Sequence, residues 1–307
     1  MTALLHDPEF FAGHDNPNHP ENATRLSVLP QLISEQVVPW RAATDEELLA
    51  AHTPEHLQRV ASKSAAGGGM LDPDTYCCPK SEFIARAAAG GLVDLSLGVE
   101  SGVYRNGLAL TRPPGHHATA NEAMGFCLYN SVAVAATALR SQGVPRVAIV
   151  DFDVHHGNGT QDIFYEDNTV MYISSHQYPH FPGTGPASET GHGSGAGFTL
   201  NHPLPAGTED EAFLSVYRDH LIPALVKFQP GFILVSAGFD AHTADPLAGL
   251  NITTAGFETL TEMLTEAAGD LCGGKIVFSL EGGYNPPALT ECVEATAKIL
   301  NRSYPRL

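Results

Sequence analysis

Short apolar runs recur along the chain with helical stretches between them, and that alternation leaves few folds open. The clearest runs are Leu108-Ala109-Leu110-Thr111, Val147-Ala148-Ile149-Val150, Val170-Met171-Tyr172-Ile173, Phe232-Ile233-Leu234-Val235 and Ile276-Val277-Phe278-Ser279-Leu280. They are near-continuously apolar, which marks strands buried on both faces, as in a parallel sheet. Ala3-Leu4-Leu5 reads as an edge strand. Helical periodicity covers Ser81 to Gly98, Ser131 to Gln142, Glu209 to Val226, Thr254 to Leu271 and Pro287 to Leu300. The pattern predicts an α/β fold, an open and mainly parallel sheet flanked by helices on both faces. Functional loops then belong at the strand C-terminal ends. With 307 residues and no composition shift, repeat or low-complexity tract, the chain reads as a single domain over 1–307.

Lys plus Arg number 16 against 34 Asp plus Glu, a formal net charge of −18. Duplex binding relies on basic residues that neutralise phosphates, so nucleic acid is not an expected partner. Cationic substrates are attracted instead. The five cysteines, Cys77, Cys78, Cys127, Cys272 and Cys292, form no Cys-x-x-Cys pair and are odd in number, which favours free thiols in a reducing cytosol. Neither a signal peptide nor an apolar stretch of bilayer-spanning length is visible, so a soluble, cytoplasmic protein with no membrane partner is expected. No feature of the sequence specifies an oligomeric state.

The chemistry collects at strand exits. Directly after Val147–Val150 comes Asp151-Phe152-Asp153-Val154-His155-His156-Gly157-Asn158-Gly159-Thr160. Asp153 and His155 are two apart, so an extended segment turns both to one face. Ser236-Ala237-Gly238-Phe239-Asp240 adds an acid after another strand. Asp153, His155 and Asp240 are therefore candidate ligands of one divalent ion. Three protein ligands leave a position open for water, as in catalytic zinc sites. An isolated Asp-x-His is more often a solvated turn; the doubled Asp, doubled His and flanking glycines at one strand end argue otherwise.

His116 and His117 follow Arg112-Pro113-Pro114-Gly115 at a further exit and suit general base and acid roles, because imidazole titrates near neutrality. Asp151 and Asn158 are candidates to fix their tautomers. In Glu281-Gly282-Gly283-Tyr284 a tight turn presents a hydroxyl able to donate to a developing oxyanion. Gly125-Phe126-Cys127 and His180-Phe181-Pro182-Gly183-Thr184-Gly185 each set an aromatic ring beside glycine, and two facing rings would form a slot for an aliphatic chain. His14, His19, His52, His56, His202 and His220 are scattered and are read as surface or capping residues.

Taken together, these motifs closely resemble the histone deacetylase family, within the arginase–deacetylase superfamily. The resemblance runs from His19-Pro20-Glu21 and Arg25-Leu26 through Arg-Pro-Pro-Gly-His-His at 112–117, the 151–160 segment, Phe-Pro-Gly-Thr-Gly at 181–185 and Ser-Ala-Gly-Phe-Asp at 236–240 to Glu-Gly-Gly-Tyr at 281–284. It implies the arginase–deacetylase fold and one zinc ion held by Asp153, His155 and Asp240. It implies His117 as general base, His116 as a partner that stays protonated, and Tyr284 as the hydroxyl polarising the acyl carbonyl. Gly125, Phe126, Phe181 and Leu247 would line the acyl-lysine tunnel. A potassium ion is implied at Asp151, Asp153, His155 and Ser174. Asn158 in place of Asp resembles class II, and Tyr284 separates the chain from relatives that carry His there.

The implied activity is metal-dependent hydrolysis of the acetyl, or longer acyl, amide of lysine side chains in proteins or peptides, by a stand-alone bacterial member. The second reading is deacetylation of a small acetylamine such as an acetylpolyamine or an acetoin-related metabolite. Polyamine-directed relatives carry Glu near the position of Leu247, so an apolar residue there favours the peptide. An arginase-like ureohydrolase would need more metal carboxylates, and a non-catalytic acyl-lysine reader would need no Tyr284.

Overall fold

Period-two burial is what turns the apolar runs into strands. Ala148 and Val150 belong to one hydrophobic cluster while Val147 and Ile149 belong to another; Ile233 and Val235 divide from Phe232 and Leu234 in the same way. Successive strand side chains point to opposite faces, so both faces of this sheet are covered. The computed structural model describes residues 2–27 and 36–302. Its strands are β1 (Thr2–His6), β2 (Gln36–Val37), β3 (Gly69–Met70), β4 (Tyr76–Cys77), β5 (Asn106–Leu110), β6 (Val147–Asp151), β7 (Val170–Gln177), β8 (Thr199–Leu204), β9 (Phe232–Ala237) and β10 (Ile276–Leu280).

Eight of them form one sheet in the order β2-β1-β5-β10-β9-β6-β7-β8, every pair parallel. The register brings three strands level at the site. Asp151, the last residue of β6, lies beside Ser174 of β7 and Ser236 of β9, so the segments beyond these positions emerge together. β3 and β4 make a separate antiparallel hairpin.

Helices cover the faces, and several begin where a side chain caps them. Asn130 accepts from Ala133 N ahead of Ser131–Ser141, Thr253 from Gly256 N ahead of Thr254–Cys272, and Asn285 from Ala288 N ahead of Pro286–Asn301. Each such cap contributes about 1 kcal/mol. Among the described residues no helix is long and apolar enough to cross a membrane.

Three expectations change. Ala3–Leu5 is not an edge: β1 pairs on both sides, with β2 outside it. The helix expected over 209–226 starts at Asp210 and is interrupted by a wide turn at Tyr217–Leu221 before continuing as Ile222–Phe228. Pro223 has no N–H for the preceding turn, and the local widening absorbs the loss. His14, His52 and His56, expected at the surface, are buried.

His52 shows how such burial works. Its Nδ1–H donates to Thr119 O at 2.9 Å and its Nε2 accepts from Asn130 N at 2.9 Å, so only the neutral ring fits. Burial first, then the neighbouring His56, bring its pKa down to about 3 from 6.5. Above pH 6.5 neither folded nor unfolded chain is protonated there. Below it the unfolded chain alone takes the proton, so stability falls by about 1.4 kcal/mol per pH unit until the folded pKa is reached. Urea unfolding at pH 7 and pH 5 should therefore show the His52→Gln variant losing about 2 kcal/mol less across that interval than the parent; equal losses would remove this role for His52.

Candidate metal centre and active site

Three strand exits meet at the carboxyl edge of the sheet. β6 ends at Asp151, and Phe152 N donates to Ser236 O. The chain then bends through 153–155 rather than staying extended, with His155 N donating to Asp153 Oδ1 at 2.9 Å. The bend, not a strand pleat, brings Asp153 and His155 together. His155 Nδ1 lies 3.1 Å from Asp153 Oδ1 and 3.1 Å from Asp240 Oδ2. Ligand atoms of all three residues fall within 4.8 Å of one another, and all three residues are buried. Backbone amides orient the acids: Val154 N donates to Asp240 Oδ1 at 2.9 Å and Gly282 N to Asp153 Oδ2 at 2.8 Å. A Cβ at Gly238 would collide with the Asp153 carboxylate, and one at Gly282 with the Asp240 carboxylate, so the cradle is built tightly around these oxygens.

This donor set fits a divalent cation. Burial, and then the Asp153 carboxylate, push the Asp240 pKa upward, because two acids so close in a low-dielectric interior repel. Two carboxylate oxygens and one imidazole nitrogen are the hard-to-borderline ligands that zinc accepts while keeping a site open.

Beside the trio stand the two histidines, their rings 4.0 Å apart. His116 Nδ1 donates to Asp151 Oδ2 at 3.0 Å, and the same oxygen accepts the Tyr172 hydroxyl at 3.0 Å. His117 Nδ1 donates to Asn158 Oδ1 at 2.8 Å. The partners differ in charge, and the rings respond in opposite directions. Burial works against protonation of His116, but Asp151 and Asp153 override it and raise its pKa to about 10. Burial and then the charge of His116 lower His117 well below its ordinary value. The carboxylate beside His116 favours its cationic form, and the neutral amide beside His117 favours a neutral ring with Nε2 available to accept a proton.

Tyr284 enters from the turn after β10. Its backbone N–H donates to Asp245 Oδ2 at 2.6 Å, and Arg25 lies over its ring, Cζ 4.9 Å from the centroid. Burial keeps its hydroxyl pKa well above 10, so the proton stays available for donation. Two further rings frame the site. Phe126 meets Tyr284 edge-to-face at 5.8 Å, and Phe181 meets His117 in the same way at 5.2 Å. Phe181 is 39% exposed and so stands at the mouth. His180 stacks on His155 at 5.2 Å and donates through Nε2 to Leu247 O at 3.2 Å, which brings Leu247 to the same rim. Gly125 packs so closely on the His117 ring that a Cβ there would overlap it. Ser174 lies beside Asp151 across the β6–β7 ladder, its hydroxyl donating to His176 Nδ1 at 2.9 Å.

Two supporting elements carried no role in the sequence. Glu281 is fully buried and its carboxylate accepts from Gly115 N (2.6 Å), His116 N (3.2 Å) and Ser236 Oγ (3.0 Å), which pins the His-His segment to the sheet. His116, Cys127 and Glu281 also lie close enough to hold an ion. Glu281 is already occupied by these donors, and burial pushes the Cys127 thiol well up, so it remains a weak ligand. Glu21 is the second element. It bonds Arg112 Nε at 2.5 Å and Arg25 NH1 at 3.2 Å, and Arg25 in turn donates to the carbonyls of Gly283 (2.7 Å) and Glu281 (2.6 Å). The motif residues near the N-terminus thus brace the turn that carries Tyr284.

The chain is similar to known proteins over most of its length. A profile described as Histone deacetylase domain matches residues 19–300. Histone deacetylase 15 of Arabidopsis thaliana is 41% identical over 92% of this chain; the match takes in 52% of the plant protein, so the chain spans about half of that relative's length. A probable deacetylase of Archaeoglobus fulgidus is 39% identical, covering 93% of this chain and 82% of its own. A histone deacetylase-like amidohydrolase of Pseudomonas aeruginosa is 42% identical, covering 81% of this chain and 66% of its own. The crystal structure of the HDA15 HD domain aligns with a TM-score of 0.92 at 39% identity, covering 97% of this chain and 88% of that one. The profile spans nearly the whole sequence and the architecture matches over the same range, so this chain belongs to the histone deacetylase family and has the arginase–deacetylase fold.

Proposed function

We propose that the protein hydrolyses the acyl amide of acylated lysine side chains in peptides or proteins. The observation that carries this reading is the buried Asp153–His155–Asp240 trio flanked by one cationic and one neutral imidazole, His116 and His117. Asp153, His155 and Asp240 would hold a zinc ion, and Asp151, Asp153, His155 and Ser174 a potassium ion. Bound zinc supplies a Lewis acid for the acyl carbonyl and lowers the pKa of a water toward ~7.

The remaining work falls to the chain's own groups. His117, its Nδ1 committed to Asn158, presents Nε2 to the attacking water as general base. His116, held protonated by Asp151, keeps a positive charge against the oxyanion that forms. Tyr284 donates its hydroxyl to that same oxygen. Either imidazole then returns a proton to the departing amine, and adjacent rings titrate as a pair. The aromatic slot of Phe126 and Phe181 suits the methylene stem of lysine and keeps bulk water from the amide. An apolar Leu247 at the rim favours a neutral acyl-lysine stem over a polyamine. The net charge of −18 draws lysine-rich peptides inward and argues against nucleic acid as a partner.

A panel of acetyl-lysine peptide, longer acyl-lysine peptides and acetylspermidine, run on protein of measured metal content, tests the substrate class. Peptide turnover well above acetylspermidine is expected, and the reverse order would replace the lysine reading with the small-amine one. Tyr284→Phe should lower kcat by about 10²–10³-fold, the cost of one oxyanion donor, with metal content unchanged; undiminished turnover would strip Tyr284 of its role. Dialysis against a chelator should abolish activity and zinc should restore it. Full activity without bound metal would end the zinc assignment.

A further inference from the structure

The dipeptide Gly125-Phe126 has an uncommon backbone, with φ 55° at glycine and 71° at phenylalanine. The left-handed region is strained for a side-chain-bearing residue and persists only where surrounding structure imposes it. Among the described residues the other non-glycine case is Gln229, which ends a helix. Phe126 has no such excuse, and its hydrogen bonds identify what holds it. Phe126 N donates to Thr75 Oγ1 at 3.0 Å, and Gly125 N to Asp74 Oδ1 at 3.2 Å. The Thr75 hydroxyl in turn donates to Asp74 Oδ1 at 3.0 Å. The holding pair is itself fixed, since Asp72 Oδ1 accepts from Asp74 N at 2.9 Å and Thr75 N at 2.8 Å. His19 closes the group: Nε2 donates to Asp74 O at 3.0 Å while its ring meets Phe126 edge-on at 4.5 Å. Thr75 is fully buried.

We propose that Thr75, assisted by Asp74, is the positioning residue for the Phe126 wall and through it a determinant of which acyl-lysine chains the protein accepts. This substrate clause rests on the acyl-lysine reading of the site. Without the Thr75 oxygen the Phe126 N–H loses its acceptor, a penalty comparable to the strain it offsets. The backbone is then free to leave positive φ, the ring swings off Tyr284, and the slot widens.

The test compares Thr75→Val, which keeps the shape and removes the oxygen, with Thr75→Ser, which keeps the oxygen. Thr75→Val is expected to raise KM for an acetyl-lysine peptide about tenfold, the value of one lost hydrogen bond of about 1.4 kcal/mol, with kcat within about threefold. Selectivity should move toward longer acyl chains, and Thr75→Ser should restore both. Hydrogen exchange of the segment 121–128 gives a reading independent of turnover: the Gly125 and Phe126 amides should exchange about tenfold faster in Thr75→Val alone. Unchanged exchange would overturn the clamp, as would a KM that stays put while only thermal stability falls. A parent protein that ignores acyl-lysine peptides would instead remove the reading on which the substrate clause rests, and the exchange result would still decide the clamp.

Discussion

The structure depends on keeping several carboxylates inside a dry interior. Asp151, Asp153, Asp240 and Glu281 are all nearly inaccessible to solvent and lie around the ends of adjacent strands. Burying one unpaired carboxylate is costly, and burying several together adds mutual repulsion. Each is satisfied differently. Asp151 accepts hydrogen bonds from His116 Nδ1 and the Tyr172 hydroxyl, Glu281 accepts from two backbone amides and a serine, and Asp153 and Asp240 converge on the single imidazole of His155. Two acids sharing one ring keep a surplus of negative charge that their backbone donors do not cancel, and that surplus makes the pair a candidate metal site, whereas Glu281 works as a brace.

A second buried charge group works from outside the sheet. Glu21 holds Arg25 and Arg112, and each arginine reaches a backbone carbonyl on a different segment: Arg112 takes Phe11 O, Arg25 takes Gly283 O and Glu281 O. Breaking one member of such a group strands the others as uncompensated charges, at about 3–5 kcal/mol. The turn bearing Tyr284 is therefore tied down by charged hydrogen bonds, although it contains two consecutive glycines.

Much of this was legible in the order of residues. The runs at 147–150, 232–235 and 276–280 announce strands buried on both faces, and chemistry directly after a strand belongs at the sheet's carboxyl edge. The expected partnering of Asp151 and Asn158 with the two histidines is what the geometry contains. What stayed hidden required knowledge of non-sequential neighbours. β8 carries Pro203 and polar residues on a half-exposed edge, so no continuous apolar run marked it. The helix Pro54–Ala65 buries His56, Leu57, Val60 and Ser64 on one face, and because half of that face is polar its apolar residues alone did not mark it. Glu281 meets Gly115 across a separation of 166 residues, and Arg112 meets Glu21 across 91, spans over which no local periodicity carries information. His52 and His56 are buried because the 119–130 segment folds over them and supplies carbonyls.

The two rims of the sheet carry a consequence of their own. At one side the outermost strand is β2, only Gln36–Val37; at the other it is β8, which includes a proline with no amide proton to offer. Among the described residues, a foreign strand seeking to extend the ladder finds two residues at one border and a missing donor at the other. At the β8 border Pro203 thus works against stacking of copy upon copy, at a distance from the strand ends that carry the chemistry.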